Sequence, residues 1–277
     1  NIAYTGSFTP NQYSNSLTSG NYQASNVDKY VETRMHNVTL QYHSGVGFDV
    51  GGDYTHYTSD NNQTLLADYA DGGQSSFSII GGQKIDRYSI YADRKRHLAK
   101  EWNLGYGISY RFAKDRDFQT YDKVTGDIPT ENTDSRLREQ TANFYVSLSR
   151  NYATGTSVSV SATGEYYAIG SYRKWAVYPQ ASLTYVKSPK HLFQLSLSTD
   201  KTYPGYWDMQ SSVSHLNGYT ELWGTPGLKP STTYNLNGNY IWKQKYIFGL
   251  FFMHTSDFFV QTGYQSTDRL ALIWLSN

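Results

Sequence analysis

Trp102-Asn103-Leu104-Gly105-Tyr106-Gly107-Ile108-Ser109-Tyr110-Arg111-Phe112 separates into two series. The even positions carry Trp102, Leu104, Tyr106, Ile108, Tyr110 and Phe112, and the odd ones carry Asn103, Gly105, Gly107, Ser109 and Arg111. Successive side chains of an extended chain point to opposite faces, so this stretch predicts a strand with one greasy face and one small or polar face. At a tilt near 45°, a strand of about 10 residues crosses the hydrocarbon layer of a bilayer, the length found here.

The period recurs on both sides of this run. Val46, Phe48, Val50 and Tyr54 alternate with Gly47, Asp49, Gly51 and Asp53; Val158, Val160, Ala162 and Tyr166 alternate with Ser157, Ser159, Ser161 and Glu165. Phe193, Leu195 and Leu197 oppose Gln194, Ser196 and Ser198, and Tyr234, Leu236, Tyr240 and Trp242 oppose Asn235, Asn237 and Asn239. A soluble sandwich would place Lys and Glu on its wet face. Here that face is Ser, Thr, Asn, Gln and Gly, as on the wall of a solvated or plugged lumen.

Composition points the same way. Of 277 residues 16% are aromatic, led by 27 Tyr, while charged residues make up 17% and the mean hydropathy is -0.61. A transmembrane barrel needs apolar residues only at every second position and favours Tyr and Trp at the lipid interfaces. No run approaches 18 consecutive apolar residues, which excludes a transmembrane helix. The absence of Cys suits passage through an oxidising periplasm, and a net charge of +1 gives no reason to expect nucleic acid. The expected fold is therefore all-β, an antiparallel transmembrane β-barrel in the bacterial outer membrane, bound to outer-membrane lipid.

About twelve strands fit this template, at 2–8, 29–43, 46–58, 76–93, 101–113, 136–150, 155–167, 173–187, 191–203, 231–243, 246–264 and 268–276. Short turns alternate with long polar segments at 9–28, 59–75, 114–135 and 204–230, and shorter connections fall near 168–172 and 265–267. Short periplasmic turns and long extracellular loops are the asymmetry of outer-membrane barrels. The whole of 1–277 reads as one barrel segment of a larger barrel, with no plug domain and no signal peptide in it. Arg94, Lys95, Arg96, His97, Lys100, Lys187, Lys190, Lys243 and Lys245 cluster at the short turns, where a basic rim would meet phospholipid phosphates. Asp60, Asp68, Asp71, Asp115, Asp117, Asp122, Asp127, Glu131 and Asp134 fall in the long segments, either as solvated charges or as holders of divalent cations.

Residues 203–230 carry a more specific signal. Tyr203-Pro204-Gly205-Tyr206-Trp207-Asp208 is followed by Gly224-Thr225-Pro226-Gly227-Leu228-Lys229-Pro230 and a strand from Thr232. With Tyr178-Pro179 and the Lys190-His191 turn, this order resembles the C-terminal barrel of TonB-dependent receptors from Bacteroidota over most of 25–277. In that family an Arg-Pro-x-Tyr element closes one strand and a Gly-Asn-Pro-x-Leu-Lys-Pro element opens the next; Tyr203 stands here in place of Arg, and Thr225 in place of Asn. The resemblance implies a barrel of about twenty-two strands. It further implies uptake of a bulky nutrient through a plug region that precedes the barrel, driven by an inner-membrane TonB-type coupler, in some members with a surface lipoprotein as partner.

Ligand contact is expected from the loop aromatics Tyr203, Tyr206, Trp207, Tyr219 and Trp223, whose faces suit sugars, haem-like rings or siderophores. The competing reading makes them interface-girdle residues, and the segment has the alternative of folding inward. No catalytic, metal or cofactor site is expected. The seven His form no ligand pattern, Asp49 and Asp53 do not share parity with His56, and Ser157, Ser159 and Ser161 lack an adjacent His. A structural or adhesive barrel that binds a partner through its loops is the alternative function.

Overall fold

In a computed structural model, residues 1–20, 23–126, 130–267 and 271–277 are described. Along them run β1 (Ile2–Gly20), β2 (Gln23–His43), β3 (Phe48–Asp68), β4 (Gln74–His97), β5 (Trp102–Thr125), β6 (Thr133–Asn151), β7 (Ser157–Ile169), β8 (Tyr172–Ser188), β9 (His191–Thr202), β10 (Val213–Asn217), β11 (Thr220–Trp223), β12 (Ser231–Trp242), β13 (Tyr246–Ser256), β14 (Val260–Gln265) and β15 (Ala271–Ser276). Among the described residues eleven strands, β1 to β9 followed by β12 and β13, form one antiparallel sheet in chain order. The sheet is open, with β1 and β13 at its edges. A second sheet has the order β10-β11-β15-β14, with β11 and β15 parallel.

The predicted parity holds through the pairings. Val50 lies opposite Ala92, which lies opposite Ile108, which lies opposite Phe144. This row points outward, and Ile90, Ile108, Phe144, Val160 and Trp175 are all exposed as a lipid face requires. A broad apolar hollow of about 710 Å³ between Ile90, Ile108, Phe144 and Trp175 is part of this lipid face. Inward lie Asp53, Ser89, Ser109 and Asn143, and a hollow lined by Ser159, Ser161, Gln180, Ser182, Ser196 and Ser198 keeps the wall polar. Gly107 faces inward under the Tyr145 ring, where a Cβ would collide with it.

Three predicted loops are strands instead. The segments 9–28, 59–75 and 114–135 continue the pairing beyond the bilayer, so β3 runs to Asp68, β4 starts at Gln74 and β5 runs to Thr125. Tyr69 to Gly73 close a tight turn, with Gly72 N bonded to Tyr69 O at 3.0 Å and Gly72 at φ 79°. Pro10 falls at a register shift in edge strand β1, where its missing N–H breaks no ladder. Residues 21–22 and 127–129 of the predicted loops lie outside the described residues, as do 268–270 of the last predicted strand.

The C-terminal expectation also changes. The predicted strand 246–264 breaks at Asp257, which adopts φ 51°, and yields β13 and β14. β15 leaves the large sheet and pairs β11 and β14. Its run Ala271-Leu272-Ile273-Trp274-Leu275 is apolar on both faces, and all five residues are partly buried.

The inward-folded segment as candidate functional site

Among the described residues the connection from β9 to β12 is the one predicted loop that remains long, and it folds onto the concave face. The lower part of each long strand has a polar inner face, and above the Tyr54-Tyr88-Phe112 row the inner faces of β2, β3 and β4 carry an apolar patch beside buried Gln63, Gln83 and Gln119. Val27, Leu65, Ala67, Phe77 and Ile79 form a buried cluster there, with Leu65 at 0% and Phe77 at 1% exposure. β10 and β11 seat on it. The Gln63 side chain donates to the His215 carbonyl at 2.5 Å. Gln119 donates to the Val213 carbonyl at 2.9 Å and accepts from Val213 N at 2.8 Å. Gly218 N donates to Ser25 Oγ at 2.8 Å. Backbone groups that would be orphaned inside the barrel are thereby satisfied by the wall.

His215 sits at the centre of this seat. Its ring lies 4.6 Å from the Phe77 ring, and its Nε2 is 2.7 Å from the Tyr121 hydroxyl. Burial pushes its pKa down to about 4, so the ring is neutral and the Tyr121 hydroxyl is assigned as donor to Nε2. Glu221 Oε1 lies 3.5 Å from His215 Nδ1, and Glu221 Oε2 accepts from Trp223 Nε1 at 2.8 Å. Burial also raises the Glu221 carboxyl.

Both ends of the segment are tied to the rim. Leu228 and Met209 are buried with Tyr167 and Ile169 of β7, and Tyr203 and Tyr206 pack against them. The Tyr203 hydroxyl donates to Glu165 and the Tyr206 hydroxyl to Glu139. Burial, reinforced by those carboxylates, raises both phenols, which therefore stay protonated as donors. Lys201 completes the cluster by pairing with Glu165, its Nζ 4.5 Å from both the Tyr167 and the Tyr203 ring centres. Gly224 has no room for a side chain, because a Cβ would run into the Gln210 carbonyl. The two sequence elements that flank the segment are thus its anchors.

The five aromatics divide accordingly. Tyr203 and Tyr206 are half-buried anchors with occupied hydroxyls, whereas Trp207 and Trp223 remain 38% and 45% exposed. Trp207 borders a cavity of about 30 Å³ shared with Asp117, Gln119 and Ser212. Tyr219 is half-buried in the β10–β11 turn, its N–H donating to Asn217 Oδ1 at 3.0 Å. Trp223 lies beside Trp274 of β15 in the parallel register.

Sequence parity passes over the inner acids. Asp115 and Asp117, expected in a solvated loop, are buried on the inner face of β5, with both Asp115 oxygens and Asp117 Oδ1 lacking a hydrogen-bond partner. Glu139 and Glu165 are buried as well. The reading of these acids as loop residues is corrected too: Asp60, Asp68, Asp122 and Asp134 are strand residues, and among the described residues no group of three or more His, Asp or Glu is placed to hold a metal ion. Asp127 lies outside the described residues. His56 pairs with Asp86 at 2.8 Å on the outward face, away from inward Asp53, which accepts from Ser89.

Comparison with known proteins fits this geometry. The profile of the Outer membrane protein beta-barrel family matches residues 43–274, and the chain belongs to that family. It resides in the bacterial outer membrane. The Serratia marcescens hemophore receptor HasR, solved as a double mutant with its hemophore HasA and heme, has the same fold, with a TM-score of 0.51 and 8% identity over 100% of this chain and 54% of that one. The Pseudomonas aeruginosa siderophore receptor PirA matches with a TM-score of 0.48 and 10% identity, over 100% of this chain and 56% of that one. The chain thus spans about half the length of these solved receptors. No curated protein sequence matches it. The expected likeness to TonB-dependent receptor barrels is borne out in the fold. The link to Bacteroidota rests on the sequence elements alone.

Proposed function

We propose that this chain is the wall and mouth of a TonB-dependent receptor that takes up a bulky nutrient. The observation that carries the reading is the inward seat of residues 203–230: a segment pinned at both ends to β6 and β7 that leaves Trp207 and Trp223 exposed. Tyr219 lies at its turn, and Tyr203 and Tyr206 hold the platform in place. Exposed indole faces at a barrel mouth bind large ring systems through apolar contact. The edges of β1 and β13 would be costly in lipid, which supports further strands, and a plug region would link the barrel to an inner-membrane energy coupler. A surface lipoprotein capping the mouth is compatible with the same arrangement. No catalytic role is assigned.

The test is the intact mass and N-terminal sequence of the protein purified from its native outer membrane, followed by calorimetry with haem, a ferric catecholate and an oligosaccharide. A mass well above 31.5 kDa with plug-like peptides is expected. One probe should bind, and Trp207→Ala with Trp223→Ala should weaken it roughly tenfold or more, as for loss of aromatic hot spots. A mass near 31.5 kDa with no binding would replace the receptor by a scaffold or adhesin.

A further inference from the structure

The upper outward face of β2 to β6 has a charge pattern that solvation alone does not require. Val38, Tyr54, Tyr88 and Phe112 lie opposite one another along one register row and close the apolar band, with Tyr54 and Tyr88 stacked at 4.8 Å. This is the side of the long β9–β12 connection, opposite the short turns, which assigns it to the cell exterior. Two residues beyond that row, Asp86, Lys114 and Arg138 lie side by side. Two residues further, Arg34, Thr58, Lys84, Arg116 and Arg136 run across five strands. Six cations therefore border the aromatic row on the lipid-facing side of the sheet.

Acidic partners do not use them up. Arg34 pairs with Glu32. Asp134 takes Arg116 through both oxygens at 2.8 and 2.9 Å, and its contact to Arg136 is 3.8 Å. Asp86 is engaged by the Tyr54 hydroxyl at 2.7 Å and by His56 at 2.8 Å. Lys84, Lys114 and Arg138 are exposed and, among the described residues, make no close ion pair, although Lys114 stands opposite Asp86 and acts on it through space. Unpaired cations repel one another across a sheet, so retaining them in adjacent rows calls for an anion.

We propose that this face binds the phosphate groups of an outer-leaflet lipid, with Lys84, Lys114 and Arg138 as the principal contacts and Arg116 and Arg136 at the flank. A phosphomonoester carries close to two charges and three acceptor oxygens, which suits lysines and guanidinium forks set a strand spacing apart. The position selects a lipid over a soluble anion. The acyl chains of such a lipid would lie against Tyr88, Ile90, Ile108 and Tyr110, directly below the cations on the same face.

The full natural chain, purified and placed in phosphatidylcholine nanodiscs, is titrated with lipid A that retains both phosphates, with its dephosphorylated form, and with inorganic phosphate as competitor. The expected result is binding of the phosphorylated lipid alone, undisturbed by millimolar phosphate. Lys84→Gln/Lys114→Gln/Arg138→Gln should weaken it on the order of 100-fold, from the contribution of each cation at a charged membrane surface. Lys84→Arg/Lys114→Arg, which keeps the charge, should bind as the parent does, so a folding defect in the neutral variant is separable from loss of charge. Neutralising Lys187, Lys190 and Lys245 at the short turns should leave binding unchanged. Equal binding by the neutral variant, equal binding of the dephosphorylated lipid, or displacement by inorganic phosphate would each overturn the proposal.

Discussion

The lower and upper halves of β3, β4 and β5 share one strand geometry and exchange their environments. Below the Tyr54-Tyr88-Phe112 row, Val50, Ile90 and Ile108 point outward to lipid while Gly51, Asp53 and Ser89 point inward. Above it, Leu65, Phe77 and Ile79 point inward to a dry seat while Asp60, Lys84 and Arg116 point outward to water. The in-out alternation continues, but above the row Leu65, Phe77 and Ile79 share the inner face with buried Gln63 and Gln83, and Leu66 and Ile80 stay exposed on the outer one. A strand therefore does not end where its lipid face ends, provided that the other face finds something to bury.

This contrast can be broken from either half. The largest effect is expected for Phe77→Ala in the upper half, where the ring contacts Tyr121 and His215 at 1% exposure. Truncation should destabilise the seat by about 3–5 kcal/mol and release residues 203–230 to protease, with the barrel itself still resistant. Equal protection of parent and variant would mean that the upper cluster does not hold the segment. In the lower half, Ile108→Lys puts a charge near the middle of the lipid face and should cost about 2–4 kcal/mol of barrel stability, read by urea unfolding in bilayers. The same substitution type at Thr120, outward but above the membrane, should change little.

The smallest effect comes from pH. His215 has a folded pKa below its ordinary value, so its contribution to seating is complete above pH 6.5 and is lost as the pH falls toward about 4. Glu221 has a raised pKa and opposes this, since its burial becomes easier as it protonates. Between pH 7.5 and 5.5 the histidine by itself should weaken seating by about 1 kcal/mol, followed by Trp207 and Trp223 fluorescence, and Glu221→Gln isolates that contribution. His215→Gln should flatten the profile over that interval; an unchanged profile would assign the sensitivity elsewhere.

The lower half was legible in the sequence because lipid imposes a strict pattern on one face and tolerates small polar residues on the other. The upper half was not. Asp60, Arg116 and Asp122 look like loop residues when outward polarity is taken as the mark of a loop, and the inward partners Leu65, Phe77 and Ile79 gain meaning only from β10 and β11, some 150 residues later. The site was half legible. Tyr203 and Tyr206 stood out by their place beside Pro204 and Gly205, but whether an aromatic serves as anchor or exposed face depends on Glu165 and Glu139, which strand parity marks only as wall residues. Lys201 gave no signal at all, because its value lies in a pairing across to β7.

The anchoring of residues 203–230 at both ends has a consequence for diversification. Tyr203 to Met209 and Gly224 to Pro230 fix where the segment leaves and rejoins the rim, so the stretch between them behaves as a cassette. The entropy of closing such a loop grows only with the logarithm of its length. Insertions between Gln210 and Trp223 are thus tolerable while both clasps hold and Val213, His215 and Gly218 keep their contacts to the wall, so the mouth can vary in length around a fixed seat.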